Sequence, residues 1–582
     1  MTMAEYLSPG VYVEEFDSGP TPMQGVGTST GGFIGVAEKG PSVGAPVLVT
    51  GPADFARKFG GYLHENEFGQ YRFLAHAVNH FFINGGSRAF VMRVAPPDAT
   101  IAKMSCEEGK EGILEITAKS VGSWGNSIVI TFESSSSSKS QILENLGKGK
   151  YRLKNAAGFN VGDVVSIDGD DDPKNGIITN VTGDVLTFAE PFEGNVVDKS
   201  LLPKITIRTC EMNIIVEQGE TVEKYMGVSF NALSPSFIEK VVSKSELIDL
   251  RAKPVDGVAT PMDIVRQTLG EEGDKIKISL SGGANGTAAA LTDADFIGKD
   301  EGPGSRTGIQ AFLDNTDVNI ISVPGITSPN VQLALVAHCE KLGSRFAILD
   351  MPMTSKTVSD IMQHRDIVDS DYCAMYHPWL QVFDPLDKKD TFIPPSGSVM
   401  GIYARSDNNR GVHKAPANEV VANCTGLFVN YNVAEQDLLN PKGVNLIRKF
   451  PGSGIRVWGA RTASSKALWK YINVRRLFIY IEESIKANTN WVVFEPNDVT
   501  LWSRVKRTVE LFLEGIWRTG ALVGTSPAEA FFVDIGPNTM TKDDIDNGRL
   551  ICVIGVAPVK PAEFVIFKIT QKTEESSSGG GE

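Results

Sequence analysis

Several places in the sequence hold residues whose types and spacing could do chemistry. Gly27-Thr28-Ser29-Thr30-Gly31 matches the G-x-S-x-G pattern that presents a serine nucleophile on a sharp strand-to-helix turn. That turn needs a buried strand before the serine and a helix after it. Here Pro20, Thr21 and Pro22 precede it and the strand follows, so no nucleophile is expected. His76 and His80 stand four apart, on one face of any helix that carries them, a spacing that could chelate a metal. The H-E-x-x-H pattern needs Glu where Ala77 stands, and no third ligand suggests itself. The pair reads as two histidines on a packed helix surface. Gly283-Ala284-Asn285-Gly286 and Gly302-Pro303-Gly304 are glycine-rich, but neither is followed by Gly-Lys-Ser/Thr or by a suitably placed helix, so nucleotide binding is not expected. The acidic turn from Asp168 to Asp172 could hold calcium. It lacks the spaced ligands and closing Glu of an EF-hand loop and reads as a solvated hairpin. These patterns leave no catalytic, cofactor-binding or metal-binding residue.

Two basic groups stay open to two readings. Arg475-Arg476 sits beside an apolar run, and Arg504, Lys506 and Arg507 lie near the start of a helical stretch. Positive charge early in a helix opposes the macrodipole. Each group faces either solvent or an acidic partner surface. The whole chain carries 56 basic and 70 acidic residues, a formal net charge of -14. That balance argues against a nucleic-acid partner, whose phosphates call for basic stripes. The six cysteines, Cys106, Cys210, Cys339, Cys373, Cys424 and Cys552, are scattered singly, with neither a disulfide rhythm nor a C-x-x-C pair. Reduced thiols in or near cores are the expectation. Residues 1–18 include Glu5, Glu14 and Glu15 and no continuous apolar stretch, so no secretory signal is expected. No apolar run approaches the roughly 18 residues needed to span a bilayer, so no membrane insertion is expected. Synthesis and residence in the cytoplasm until lysis is the corresponding expectation.

The elements that would have to position any site follow from hydrophobic period and breakers. At 582 residues the prior is about four domains. Val11-Tyr12-Val13-Glu14-Glu15-Phe16 reads as a short strand between Ser8-Pro9-Gly10 and the breaker-rich Gly19-Pro20-Thr21-Pro22. A lone terminal strand behind such a linker must add to a sheet elsewhere. A compact α/β pattern follows: a buried strand at 32–37, helices at 53–59 and 68–83, and a strand at 89–94. From about Asp98 to Gly282 strands and turns dominate, with a small β module near Tyr151 to Phe188 and helical periodicity from Phe237 to Leu250. Alternating strands and helices resume from Leu291: strands at 320–323 and 346–350, helices at 330–341 and 355–368, and further segments at 374–376 and 399–404. Such alternation implies a largely parallel sheet covered on both faces. Ser464 or Ser465 is placed to cap a helix running through Trp469, Ile472, Leu477, Ile481 and Ile485. A second helix spans Asp498 to Arg518, with Trp502, Val505, Val509, Phe512, Leu513 and Ile516 on one face. Strands at 550–556 and 564–570 lead into a Ser/Gly/Glu-rich tail.

Several phrases together resemble one family. They are Tyr6-Leu7-Ser8-Pro9-Gly10-Val11-Tyr12-Val13-Glu14-Glu15, Gly31 to Pro41, Phe82-Ile83-Asn84-Gly85-Gly86 before Val91-Met92-Arg93-Val94, and Gly122-Ser123-Trp124-Gly125-Asn126. Val457-Trp458-Gly459-Ala460-Arg461-Thr462, Tyr471 to Leu477 and Gly548-Arg549-Leu550 continue the series in order. The chain thereby resembles the contractile tail sheath proteins of phages, R-type pyocins and extracellular contractile injection systems. The stretch of about 135–235 departs most from the family.

The resemblance implies a conserved α/β domain assembled from the early segment and the C-terminal half, with β-rich domains inserted. The expected divisions are an extended arm at 1–22, a first part of the α/β domain at 23–97, an inserted β-rich region at 98–282 with a small module at about 145–205, the remainder at 283–562, and a donor strand with flexible tail at 563–582. It further implies that Val11, Tyr12, Val13, Glu14, Glu15 and Phe16, and likewise Phe564, Val565, Ile566, Phe567, Lys568 and Ile569, pair with sheets of neighbouring subunits. Arg504, Lys506 and Arg507 become candidate contacts to an inner tube. The implied partners are further copies in six-fold rings, the tube protein, and baseplate and terminal cap proteins. The implied function is structural, a sheath that contracts without nucleotide, ending in a virion tail or a released extracellular particle. Two other readings stand beside it: an α/β hydrolase-like enzyme with an inserted β domain, and the large sheath subunit of a type VI secretion system.

Overall fold

The structure, a computed structural model, describes residues 23–110, 112–168, 174–192, 204–253 and 257–567. Its centre is a nine-stranded sheet in the order Val47–Val49, Ala89–Val94, Gly31–Val36, Ile320–Ser322, Phe346–Asp350, Cys373–His377, Val444–Phe450, Gly454–Val457, Glu419–Val420. The six strands from Ala89–Val94 to Val444–Phe450 run parallel, and the strands beyond them at either edge are antiparallel. Gly31 pairs with Ala89 on one side and Ile320 on the other, so two stretches far apart in sequence share one sheet.

Parallel strands need crossovers, and the crossover helices cover both faces. Neighbouring residues of the Gly31–Val36 strand therefore enter different cores: Phe33 packs with Phe81, Val399 and Ile472, and Ile34 with Val331, Leu335 and Ile361. The helices Leu74–Ile83 and Ser396–Arg410 touch at backbone level. A Cβ on Gly397 would stand 2.3 Å from the Ala77 carbonyl oxygen, and one on Gly401 2.4 Å from that of Phe81. Only the missing side chains allow this approach.

The intervening β-rich region holds an antiparallel sheet ordered Thr221–Val228, Glu211–Gln218, Val129–Ser135, Lys275–Ser279, and a pair formed by Leu114–Ala118 and Ile248–Ala252, around a core of their own. Out of this sheet grows a closed six-stranded barrel from Lys139–Gly147 to Thr206–Thr209. Its interior, with Ile142, Tyr151, Val165, Leu186 and Phe188, draws on barrel residues alone. The Gly122–Asn126 phrase meets the glycine-rich Gly283–Gly286 stretch at the edge of this region: Asn285 accepts from Ser123 N–H at 2.8 Å, and Asn126 and Gly283 exchange two hydrogen bonds of 2.8 Å.

Four expected elements differ, the first being the strand at 564–570, whose described residues Phe564 to Phe567 carry no regular secondary structure. The helical reading of Phe237 to Leu250 holds only for Ile238–Val242; Ile248–Ala252 is a strand on Leu114–Ala118. Buried Ile248 and Leu250 alternate with exposed Asp249 and Arg251, a period of two that the preceding helical turn obscures. Ser464 and Ser465 cap nothing. The helix is Ile472–Asn488, led by Tyr471, and Ser465 binds Asp369 through its N–H at 2.8 Å and hydroxyl at 2.6 Å. The long helix expected from Phe68 begins at Leu74, after a 3-10 turn at Gly69–Tyr71 in which Gly69 takes a φ of 48°.

Candidate assembly site

The residues that suggested chemistry are placed structurally. Ser29 lies in an irregular stretch that precedes the Gly31–Val36 strand, the reverse of a nucleophile elbow. His76 lies 3.4 Å from buried Asp384 and against the Tyr62 ring, and His80 sits 3.1 Å from the Ser398 hydroxyl. Burial pushes both imidazoles down to about 4. Of the acidic turn, residues 169–173 lie outside the described residues. Among the described residues no group of three or more His, Cys, Asp or Glu is placed to hold a metal ion, and no helix is long and apolar enough to cross a membrane. Cys210, Cys339, Cys373, Cys424 and Cys552 form no disulfide.

Arg475 and Arg476 face neither solvent nor a partner. Arg476 makes a buried bidentate pair with Asp407 (2.6 and 2.8 Å) and donates to the Thr28 carbonyl at 2.8 Å. Arg475 pairs with Asp371 at 2.5 Å and stacks on the Trp469 ring at 3.6 Å. A buried guanidinium needs such partners, because leaving it unpaired costs several kcal/mol. The two pairs tie the Ile472–Asn488 helix to the central domain.

Against that helix packs the last region of the chain. The Asp498 carboxylate accepts from Leu501 N–H at 2.8 Å and starts the helix Val499–Arg518, whose Trp502, Val505, Val509, Phe512, Leu513 and Ile516 are buried as their spacing predicts, together with Leu501. Arg504 and Arg507 are exposed on the opposite side. Arg504 stacks on Trp491 at 4.7 Å, and Lys506 reaches Glu510 at 3.9 Å, an exposed i,i+4 pair worth only a few tenths of a kcal/mol.

Beyond the helix lie two antiparallel strands, Phe531–Ile535 and Cys552–Val556, in register from Phe531↔Val556 to Ile535↔Cys552. Val533 turns inward onto the helix core with Phe531, Ile535, Cys552, Ile554 and Val556 at its margin. Phe532, 57% exposed, and Val553 face the other way. Among the described residues this sheet has two strands and therefore two open backbone edges. A two-stranded ribbon is marginal on its own, and open edges template further pairing.

The ends of the described chain lie in the same region. Gln24, Val26 and Thr28 are held by Asn488, Ser484 and Arg476 of the Ile472–Asn488 helix. At the other end Phe564, Val565, Ile566 and Phe567 are 69–84% exposed and carry no regular secondary structure. Residues Val11 to Phe16, and Lys568 and Ile569, lie outside the described residues. Composition and period pointed to the apolar segment and the helix face. The Phe531–Ile535 strand that pairs with the expected strand at 550–556 went unread, as did the anchoring of Gln24 to Thr28, which depends on partners more than 400 residues away.

Two family models match adjoining stretches in the second half of the chain: the phage tail sheath protein central domain over residues 298–463 and the phage tail sheath C-terminal domain over 464–572. The chain is 26% identical over 309 residues to the tail sheath protein of Burkholderia phage BcepMu, covering 49% of this chain and 62% of that protein. To the tail sheath protein of Escherichia phage P2 it is 27% identical over 300 residues, 49% of this chain and 73% of that one. In fold it is similar to a chain of the cryo-EM structure of an extracellular contractile injection system, the PVC sheath complex in the contracted state. That likeness has a TM-score of 0.52 at 20% identity and covers 99% of this chain and 100% of the other.

Proposed function

The chain belongs to the phage tail sheath family, and we propose that it is the sheath subunit of a contractile, phage-tail-like injection particle, polymerising around an inner tube and shortening to drive that tube through a target envelope. One observation carries the reading: four consecutive large apolar residues, Phe564 to Phe567, stand out from a folded region that also holds a two-stranded sheet with both edges open. Exposed apolar segments of extended propensity are costly in a monomer and useful when they complete another copy's sheet. A six-residue strand makes about four to six backbone hydrogen bonds at about 0.5–1.5 kcal/mol net each, roughly 2–9 kcal/mol per arm, and the gain recurs at every subunit. Residues Val11 to Phe16 would supply the second added strand.

The partners on this reading are further copies of the chain, an inner tube met by Arg504, Lys506 and Arg507, and baseplate and cap proteins at the two ends. The family is one of structural sheath proteins, and the chain is a motor part rather than an enzyme: the energy of firing is stored in the extended lattice. The α/β domain works as the rigid body, the segments at 1–22 and 563–582 as the links, and the barrel as an outward appendage. The particle, as a virion tail or a released relative, acts outside the cell.

Removing residues 1–19 tests this. The shortened chain is expected to be a folded monomer that forms no extended sheath under the electron microscope; normal tubes would refute the assignment.

A further inference from the structure

The two ends of the described chain are fastened to one helix, at its opposite tips. At the C-terminal tip, Asn488 accepts from Gln24 N–H at 3.2 Å and donates to the Gln24 carbonyl at 2.8 Å, and Ser484 accepts from Val26 N–H at 3.1 Å. At the N-terminal tip, Asn473 donates to the Val559 carbonyl at 3.2 Å, and Tyr471, the residue before the helix, donates to Glu563 at 3.2 Å. Seventeen helical residues separate these tips by about 25 Å.

Glu563 is the last residue held before the exposed Phe564, and its carboxylate is unusually well served. Arg461 grips it with both Nε (2.8 Å) and an Nη (2.6 Å), Asn440 donates at 2.8 Å, and Tyr471 completes the set. The donors come from three places: the turn at Asn440–Lys442, the loop after Gly454–Val457, and the lead-in to the Ile472–Asn488 helix. Arg461 is itself fixed, buried, with its N–H donating to Asn445 at 2.8 Å and its backbone bridged to Tyr471. A bidentate guanidinium–carboxylate pair sets direction as well as strength. The fold has little need of this contact, because the preceding chain is already held where Ala557 pairs with Ala530 and Val559 with Ala521.

We propose that Arg461, Asn440 and Tyr471 form a positioning site that pins the root of the C-terminal arm through Glu563 and fixes the direction in which Phe564 onward leaves the body for a second copy of the chain. This rests on the arm reading above. With Gln24 and Val26 pinned at the far tip, the Ile472–Asn488 helix is a strut that holds the two arm roots at constant separation while the subunit turns. Burial alone would raise the Glu563 carboxyl; the hydrogen bonds from Arg461 and Asn440 bring it below the ordinary value, so the clamp stays charged at neutral pH.

The test compares Glu563→Ala with a chain ending at Glu563, both expressed with the rest of the particle. Glu563→Ala is expected to give a monomer with an unchanged melting temperature and at least about tenfold fewer extended particles, as loss of a charge-assisted pin at each junction requires. Normal particle numbers from Glu563→Ala, or a monomer that no longer melts cooperatively, would overturn the proposal. Normal particles from the truncated chain would instead sink the arm reading on which it stands.

Discussion

Three histidines, His76, His80 and His377, are buried and held at about 4, burial being the main cause in each. A histidine whose pKa is lowered on folding contributes stability that is present above the ordinary value near 6.5 and is lost as pH falls toward 4. Each is worth at most about 2–3 kcal/mol over that window. Buried Asp350 acts in the opposite sense. Burial raises it to about 6 although it accepts from Gly325 N–H and from the Ser396 N–H and hydroxyl, so its contribution is present at low pH and fades as pH rises through 6. Burial likewise pushes His338 down, to about 3, so four histidines outweigh one aspartate, and the monomer's melting temperature is expected to drop steeply between pH 6.5 and 4.5. A flat profile there would contradict the burial of these rings. The four-residue spacing revealed that His76 and His80 share a helix face; their separate partners, Asp384 and Ser398, lie some 300 positions on and leave no local mark. Arg476 is the same case: its partner Asp407 is 69 residues earlier.

Among the elements, the parallel strands and the Val499–Arg518 helix were legible, because continuous apolar runs and a clean three-and-four spacing are strong signals. The start of the Ile472–Asn488 helix was not. Its first turn is held by Asp371 and Asp407 through Arg475 and Arg476, so the sequence carries no capping side chain to find. The helix-to-strand change at 242–248 was hidden by apolar residues that satisfy both periods over a few positions. The outer side of the Val499–Arg518 helix carries the proposed tube contact. Reversing Arg504, Lys506 and Arg507 together is expected to leave the monomer folded, since these side chains make only the Trp491 stacking and the weak Glu510 pair among described contacts, and to abolish co-assembly with the tube. Intact tube–sheath complexes from that variant would end the assignment.

At the scale of the whole molecule, insertion is the organising feature. Ser135 and Glu211 are cross-strand partners, and everything between them, the barrel included, leaves and returns through that one gap. Because the barrel's interior is its own, replacing residues 136–210 by a two-residue Asn-Gly turn, which suits a tight hairpin, is expected to keep the melting temperature within a few degrees and to permit assembly. Failure of the shortened chain to fold would show that the barrel supports the sheet below it. That a separate β module interrupts the α/β domain was legible from turn-rich composition; that it closes into a barrel was not, since closure depends on the pairing of Lys139–Gly147 with Thr206–Thr209 across the module.

A cryo-EM map of the assembled particle measures strand exchange between subunits directly. The Phe531–Ile535 and Cys552–Val556 sheet should carry added strands formed by residues 11–16 and 564–569 of other copies. Should those segments lie instead against the body of their own subunit, with the sheet still two-stranded, the mechanism of linkage is wrong.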